Sequence, residues 1–168
     1  MRCPADGSWT AESAVLFATD CIAFVRQRRV ERKEEVPCGV FLLVQGGLVP
    51  LYGLQALTGE PRGRAIREAA RKYDARYVVA IYEAWLARTE GEAAQAALKA
   101  HRAAGGEIRT FAGRYEVLMC TLDGPGLMRI WSCQILPDGS TSEPVDACPP
   151  KAQVTGNIVN LSGRLGEN

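Results

Sequence analysis

The stretch Tyr77–Leu86, YVVAIYEAWL, decides how this chain folds. It is rich in β-branched and aromatic side chains and reads as a β-strand. Alternation puts Tyr77, Val79, Ile81, Glu83 and Trp85 on one side of that strand. A carboxylate on an otherwise apolar strand face costs free energy unless it is paired or wet. Glu83 is therefore either the start of a site or one half of a structural ion pair.

Two more strands follow downstream, Tyr115–Leu122 and Leu127–Leu136, joined by Asp123-Gly-Pro-Gly126. This is the clearest hairpin in the chain. A four-residue loop would pair Leu122 with Leu127 and Leu118 with Trp131. Both faces of the hairpin are largely apolar, so its strands are expected to be central. The same register offsets Cys120 and Cys133 by four residues, too far for a disulfide.

If Tyr77–Leu86 and Tyr115–Leu122 are antiparallel neighbours, the end of the first faces the start of the second. Glu83 would then meet Arg114, with Glu116 beside them and Trp85 as a lid. Two readings follow: a structural Glu–Arg pair under an aromatic side chain, or a small pocket with one or two carboxylates able to hold a cationic or metal-bound small ligand. The carboxylates Glu83, Glu116 and Asp123 could also be weighed as a divalent-metal set. No lysine accompanies them at useful spacing, and Asp is favoured in turns for backbone reasons, so no metal is expected.

These residues also carry a resemblance. Glu83-Ala84-Trp85, then Arg114-Tyr115-Glu116-Val117-Leu118, then the Asp123–Gly126 turn resemble a family of uncharacterised bacterial and phage proteins. In that family a strand ends in Glu-Ala-Trp and the next opens with Arg-x-Glu-x-Leu before a Gly-containing hairpin. The likeness covers about Tyr77–Leu136 and implies the strand order, with no activity attached. The family's loop before the Arg contains proline and serine, whereas this chain has Ile108-Arg-Thr-Phe-Ala-Gly113.

Upstream, Val15, Ala18, Ile22 and Val25 recur at helical spacing within about Thr10–Glu35. The end of that helix, Arg26–Glu35, interleaves five basic and three acidic residues and reads as a solvated face. Pro37 stops it. Cys38–Val44 is an apolar run without alternation, expected to be covered on both faces, and Gly46-Gly47 turns it into Leu48–Tyr52. A second helix enters at Thr58–Pro61 and runs to about Tyr73. A third, about Glu90–Ala104, is alanine-rich, has Leu98 as its one large apolar residue, and ends at Gly105-Gly106. Pro137-Asp-Gly139 marks a turn before a short edge strand limited by Pro144, and one brief strand is expected at Asn157–Leu161.

The second helix carries Arg62, Arg64, Arg67, Arg71 and Lys72. Together with the basic end of the first helix it is a candidate phosphate-contacting patch. No aromatic platform is interleaved and no known nucleic-acid motif is present, so a solvated face is the simpler reading.

Composition bounds the rest. The chain has 168 residues, 47% apolar and 23% charged, enough for one globular domain without staples. A net charge of +1 predicts neither a nucleic-acid nor a membrane partner. The run Val15–Val25 is too short to span a membrane and fails as a secretory leader. Six cysteines without a C-x-x-C pair read as reduced thiols of a cytoplasmic protein. The single histidine, His101, excludes His-rich zinc sites, and it reads as exposed and inert. No Gly-rich phosphate loop and no cofactor motif occur.

The sequence therefore predicts a single α+β domain over residues 10–148, with an irregular start at 1–9 and a loose tail at 149–168. Its sheet is mixed, mostly antiparallel and of about five strands, with two to three helices mainly on one face. The leading functional expectation is a non-catalytic binding or regulatory protein that self-associates as a homodimer. Trp9, Phe111 and Trp85 are its candidate interface aromatics. The alternative is a small enzyme or ligand-binding domain centred on Glu83, Trp85, Arg114 and Glu116.

Overall fold

The strand that contains YVVAIYEAWL lies inside the sheet, between a long apolar strand and the hairpin. The computed structural model describes residues 3–4, 6–32, 39–57, 59–87 and 90–146. In chain order the elements are α1 (Ala11–Arg32), β1 (Gly39–Val44), β2 (Gly47–Leu51), α2 (Gly59–Lys72), β3 (Tyr77–Ala87), α3 (Glu92–Ala103), β4 (Arg114–Gly124), β5 (Leu127–Gln134) and β6 (Val145–Asp146). Short 3₁₀ turns at Leu54–Ala56 and Ile108–Thr110 complete the set. The strands form one open sheet in the order β2-β1-β3-β4-β5-β6. Every neighbouring pair is antiparallel, and a sixth strand of two residues closes one edge. This is an α+β domain; its sheet is wholly antiparallel where a mixed one was expected. The strand expected at 157–161, and the tail from 149 onward, lie outside the described residues.

β1 is the run without alternation, and it is indeed covered on both sides. Leu43 packs with Tyr77, Val79, Ile81, Leu118, Cys120, Leu122, Trp131 and Cys133 under α1, while Phe41 on that side touches Phe17 edge-on at 5.7 Å. Val40 and Leu42 face the other way and pack with Val78, Ala80 and the α2 residues Ile66 and Ala70. The two main helices therefore sit on opposite faces of the sheet, not mainly on one. The reason is that β1 and β3 are apolar on both faces, and a single helical layer leaves one of them wet.

α1 starts at a reciprocal cap. The Ser13 amide donates to Thr10 Oγ1 at 3.2 Å and the Thr10 amide donates to Ser13 Oγ at 2.9 Å. Its inner side is Ala14, Phe17, Ala18, Cys21 and Ile22, all buried. Trp9, expected among the exposed aromatics, is instead core. It is 2% exposed, meets Phe17 edge-on at 5.4 Å, and its indole N–H donates to the Gly47 carbonyl at 2.6 Å. The residues before α1 thus fold back onto the β1–β2 turn, where they also give the Gly46 amide an acceptor in the Gly7 carbonyl at 2.8 Å.

The β4–β5 hairpin is tighter than its sequence suggests. Gly124 pairs with Leu127 and Cys120 with Trp131, leaving a two-residue turn of Pro125 and Gly126. Pro supplies the negative φ of the first turn position, and Gly126 takes φ 65° at the second. The register is shifted by two residues from the four-residue-loop expectation. Such a shift keeps every side chain on its predicted face. It does bring Cys120 and Cys133 to diagonal positions only two residues apart in register; both remain free thiols. Asp123 and Gly124 belong to the strand, and the Tyr77 ring lies against Gly124. A Cβ there would run into that ring and sit 2.8 Å from the Arg76 carbonyl oxygen.

Candidate functional site

The predicted site residues lie on the α1 face of β3 and β4, but the register separates them. Glu83 is opposite Leu118, Trp85 opposite Glu116, and Arg114 opposite Ala87. Arg114 therefore stands four positions beyond Glu83, roughly 13 Å along the strand at about 3.3 Å per residue. The expected Glu83–Arg114 pair does not form. The reason is that Glu83 lies four residues before the end of β3, whereas Arg114 is the first residue of β4 and faces that end.

Glu83 meets Arg29 of α1 instead, with Arg29 Nε 3.3 Å from Glu83 Oε1. Both side chains are largely withdrawn from water, 13% and 6% exposed respectively. A signal for this partner existed in the sequence. Ala18, Ile22, Val25 and Arg29 continue one helical stripe at intervals of four, three and four. Reading Arg26–Glu35 as a solvated face hid it. Arg26 is recruited in the same way. It donates from Nε to Thr141 Oγ1 at 3.1 Å and grips both carboxylate oxygens of Glu143 at 2.8 and 3.1 Å. That hydrogen-bonded grip, with the charge behind it, holds the Glu143 carboxyl below its usual range. α1 is thus pinned by two arginines, one to β3 and one to the segment before β6.

Trp85, Arg114 and Glu116 do share one end of the sheet. The Arg114 guanidinium carbon lies 5.3 Å from the centre of the Trp85 ring, and Nη1 donates to the Phe111 carbonyl at 3.2 Å. Trp85 is 40% exposed, Arg114 is exposed, and Glu116 is half-buried. A guanidinium over an indole is a cation–π arrangement that leaves other N–H donors facing outward.

Asp123 does not join the other two acids. It is buried near the opposite end of β4, on the opposite face from Glu116. Among the described residues no group of three His, Cys, Asp or Glu is placed to hold a metal ion. The basic side chains are also divided. α1 and α2 pack on opposite faces of the sheet, so the described cationic residues of the two helices are divided between those faces. On α2, Arg62 Nε donates to the Leu57 carbonyl at 2.6 Å and Arg67 pairs with Glu60. Arg64, Arg71 and Lys72 are exposed, with the Lys72 ammonium 5.4 Å from the Tyr73 ring centre.

His101 is tethered rather than loose. Its Nε2 lies 2.8 Å from the Glu107 carbonyl oxygen and 3.3 Å from Thr110 Oγ1. Cys21, Cys120 and Cys133 are buried between α1 and the sheet, and Cys120 Sγ donates to the Ala18 carbonyl at 3.5 Å. Burial pushes the Cys21 thiol up to about 12 and the Cys133 thiol up to about 11, and raises Cys120 as well. At neutral pH all three are protonated and do not act as thiolate nucleophiles or ligands.

No helix among the described residues is long and apolar enough to cross a membrane. The chain matches no protein-family model, no curated protein and no solved structure.

Proposed function

We propose that this domain is a non-catalytic binding or regulatory module that self-associates as a homodimer. The observation that supports this reading is the outward side of α1, where Leu16, Phe24 and Val30 are large, apolar and exposed. Single apolar residues at a surface are ordinary, but three on one helix whose other side is already packed make a contact surface. The groups best suited to chemistry are engaged within the chain: Glu83 by Arg29, His101 by the Glu107 carbonyl, and the core thiols by their own burial. Reduced, buried thiols suit a reducing compartment, which sets this reading in the cytoplasm. Sedimentation velocity across a concentration series tests it. The expected result is a concentration-dependent shift from 18.2 kDa toward twice that mass. A sedimentation coefficient that stays monomeric up to about 1 mM, where even weak complexes form, rejects it.

A second reading is favoured by the exposed Arg114–Trp85 stack. It is a platform for a small planar or anionic ligand, with Glu116 at its rim. Tryptophan fluorescence titrated with small aromatic carboxylates should then show saturable quenching. That quenching should vanish in Trp85→Phe; a response that survives the substitution assigns it elsewhere.

A further inference from the structure

The end of the sheet that carries Trp85 holds two opposite charges that do not neutralise each other. Arg114 and Glu116 are two residues apart on β4, so their side chains leave the same face about 7 Å from one another. Among the described residues no ion pair joins them. Arg114 lies over the Trp85 ring instead and uses Nη1 on the Phe111 carbonyl. A guanidinium has further N–H donors, and the exposed position of this one leaves them to solvent. Glu116 is the less ordinary of the two. It is half-buried, stands directly opposite Trp85, and has Ile135 on its other side, whose amide donates to the Glu116 carbonyl at 2.9 Å. Ile135 is buried, and so is Leu118, the next residue of β4 on the same face. Arg29, the α1 cation that reaches this face of β3, is taken by Glu83. A carboxylate among apolar neighbours carries a desolvation cost that an incoming cation offsets.

We propose that this end of the sheet binds a zwitterion, a free α-amino acid with an aromatic side chain. Its carboxylate takes the outward N–H donors of Arg114, its ammonium donates to Glu116, and its ring lies along the open part of Trp85. Two charge-assisted hydrogen bonds of about 2.8 Å, with the ligand's own short backbone between them, reach across the spacing of the two side chains. A simple anion would leave Glu116 unanswered and set a like charge beside it. A simple cation would meet Arg114 in the same way. Charge therefore selects a ligand that carries both signs a short distance apart. Trp85 is only partly covered, so a ligand of this size binds with a Kd on the order of 1 mM.

This inference rests on the platform reading of the Arg114–Trp85 stack and names its ligand class. The test follows the indole N–H signal of Trp85 in proton–nitrogen NMR spectra of the full chain, identified by its loss in Trp85→Phe. The probes are L-phenylalanine, N-acetyl-L-phenylalanine, which lacks the ammonium, and L-phenylalaninamide, which lacks the carboxylate. L-phenylalanine should shift the signal with saturation, and each analogue should bind about fivefold more weakly or worse, having lost one charge-assisted contact. Glu116→Gln should weaken L-phenylalanine by about fivefold and leave N-acetyl-L-phenylalanine within about twofold, since only the ammonium loses its partner. Arg114→Met should do the converse, weakening L-phenylalanine and sparing L-phenylalaninamide. Melting curves confirm that both variants fold. An analogue that binds as tightly as L-phenylalanine overturns the zwitterion while the platform stands. L-phenylalanine binding that Glu116→Gln leaves unchanged removes Glu116 as the ammonium's partner and overturns it too. A Trp85 signal that none of the three probes moves up to about 20 mM, far above the expected Kd, overturns both the zwitterion and the platform.

Discussion

Arg29→Met lowers the stability of the folded domain by about 3 kcal/mol, a melting-temperature loss of roughly 10 °C for a chain of this size. The side chain it removes is the α1 partner of Glu83, and the carboxylate stays behind in a site only 6% open to water. Losing one partner of a withdrawn ion pair costs more than the pair contributes, because the remaining charge keeps its desolvation penalty. The conservative partner variant Glu83→Gln should cost less, since the amide oxygen can still accept from Arg29 and the charge left behind is the more exposed of the two, 13% against 6%. The double variant Arg29→Met/Glu83→Leu should recover most of the loss, because matched apolar residues replace a buried pair at little cost. Urea unfolding of wild type, Arg29→Met, Glu83→Leu and the double variant gives the coupling directly. Strict additivity of the two single effects would show that Arg29 and Glu83 do not act as a pair.

The second large effect is alkaline destabilisation. Cys21, Cys120 and Cys133 have their thiols raised by burial in the folded state, whereas in the unfolded chain they ionise near the ordinary value of 9.0. The group is an acid held neutral, so the native state retains protons that the unfolded state releases above that value. Stability therefore falls as pH rises through about 9 and keeps falling until the native thiols themselves ionise, near 11 for Cys133 and near 12 for Cys21. Each thiol contributes about 1 kcal/mol of loss between pH 9 and 10, roughly 3 kcal/mol together. Urea midpoints near pH 8 and near pH 10 measure the slope, and tyrosine and lysine titrations common to all variants cancel when variants are compared. Cys21→Ala and Cys133→Ala should each lower stability near pH 8 yet reduce the further loss on raising pH by about a third. Equal pH slopes in wild type and both variants would remove the thiols as its cause.

Both effects come from α1 lying on the sheet, and this is where the sequence was least informative. The apolar runs at 40–44, 77–81 and 115–122 are legible as strands because a strand's residue types and alternation are local properties. The α2 boundaries, the alanine-rich α3 with Leu98 as its one large apolar residue, and the presence of a hairpin around Asp123–Gly126 were readable for the same reason. The register was not. Shifting the β4–β5 pairing by two residues leaves the same side chains on the same faces, so hydrophobic pattern cannot choose between the two hairpins. In the folded chain Gly124 pairs with Leu127, and the Tyr77 ring lies against it where a Cβ would have no room. Likewise Trp9 carries no periodic signal, and only the return of residues 6–9 to the β1–β2 turn buries it.

Glu83 shows the division most clearly. Its position on an apolar strand face, and hence its need for a partner, was determined by YVVAIYEAWL alone. Which cation answers that need was decided by the tertiary structure. β1 and β3 are apolar on both faces, so α1 and α2 cover opposite sides, and α1 brings Arg29 down over β3. A strand pattern records that a charge must be paired, because desolvation acts on the residue itself. It cannot record the partner, because that depends on where an element forty-five residues or more away in sequence comes to rest.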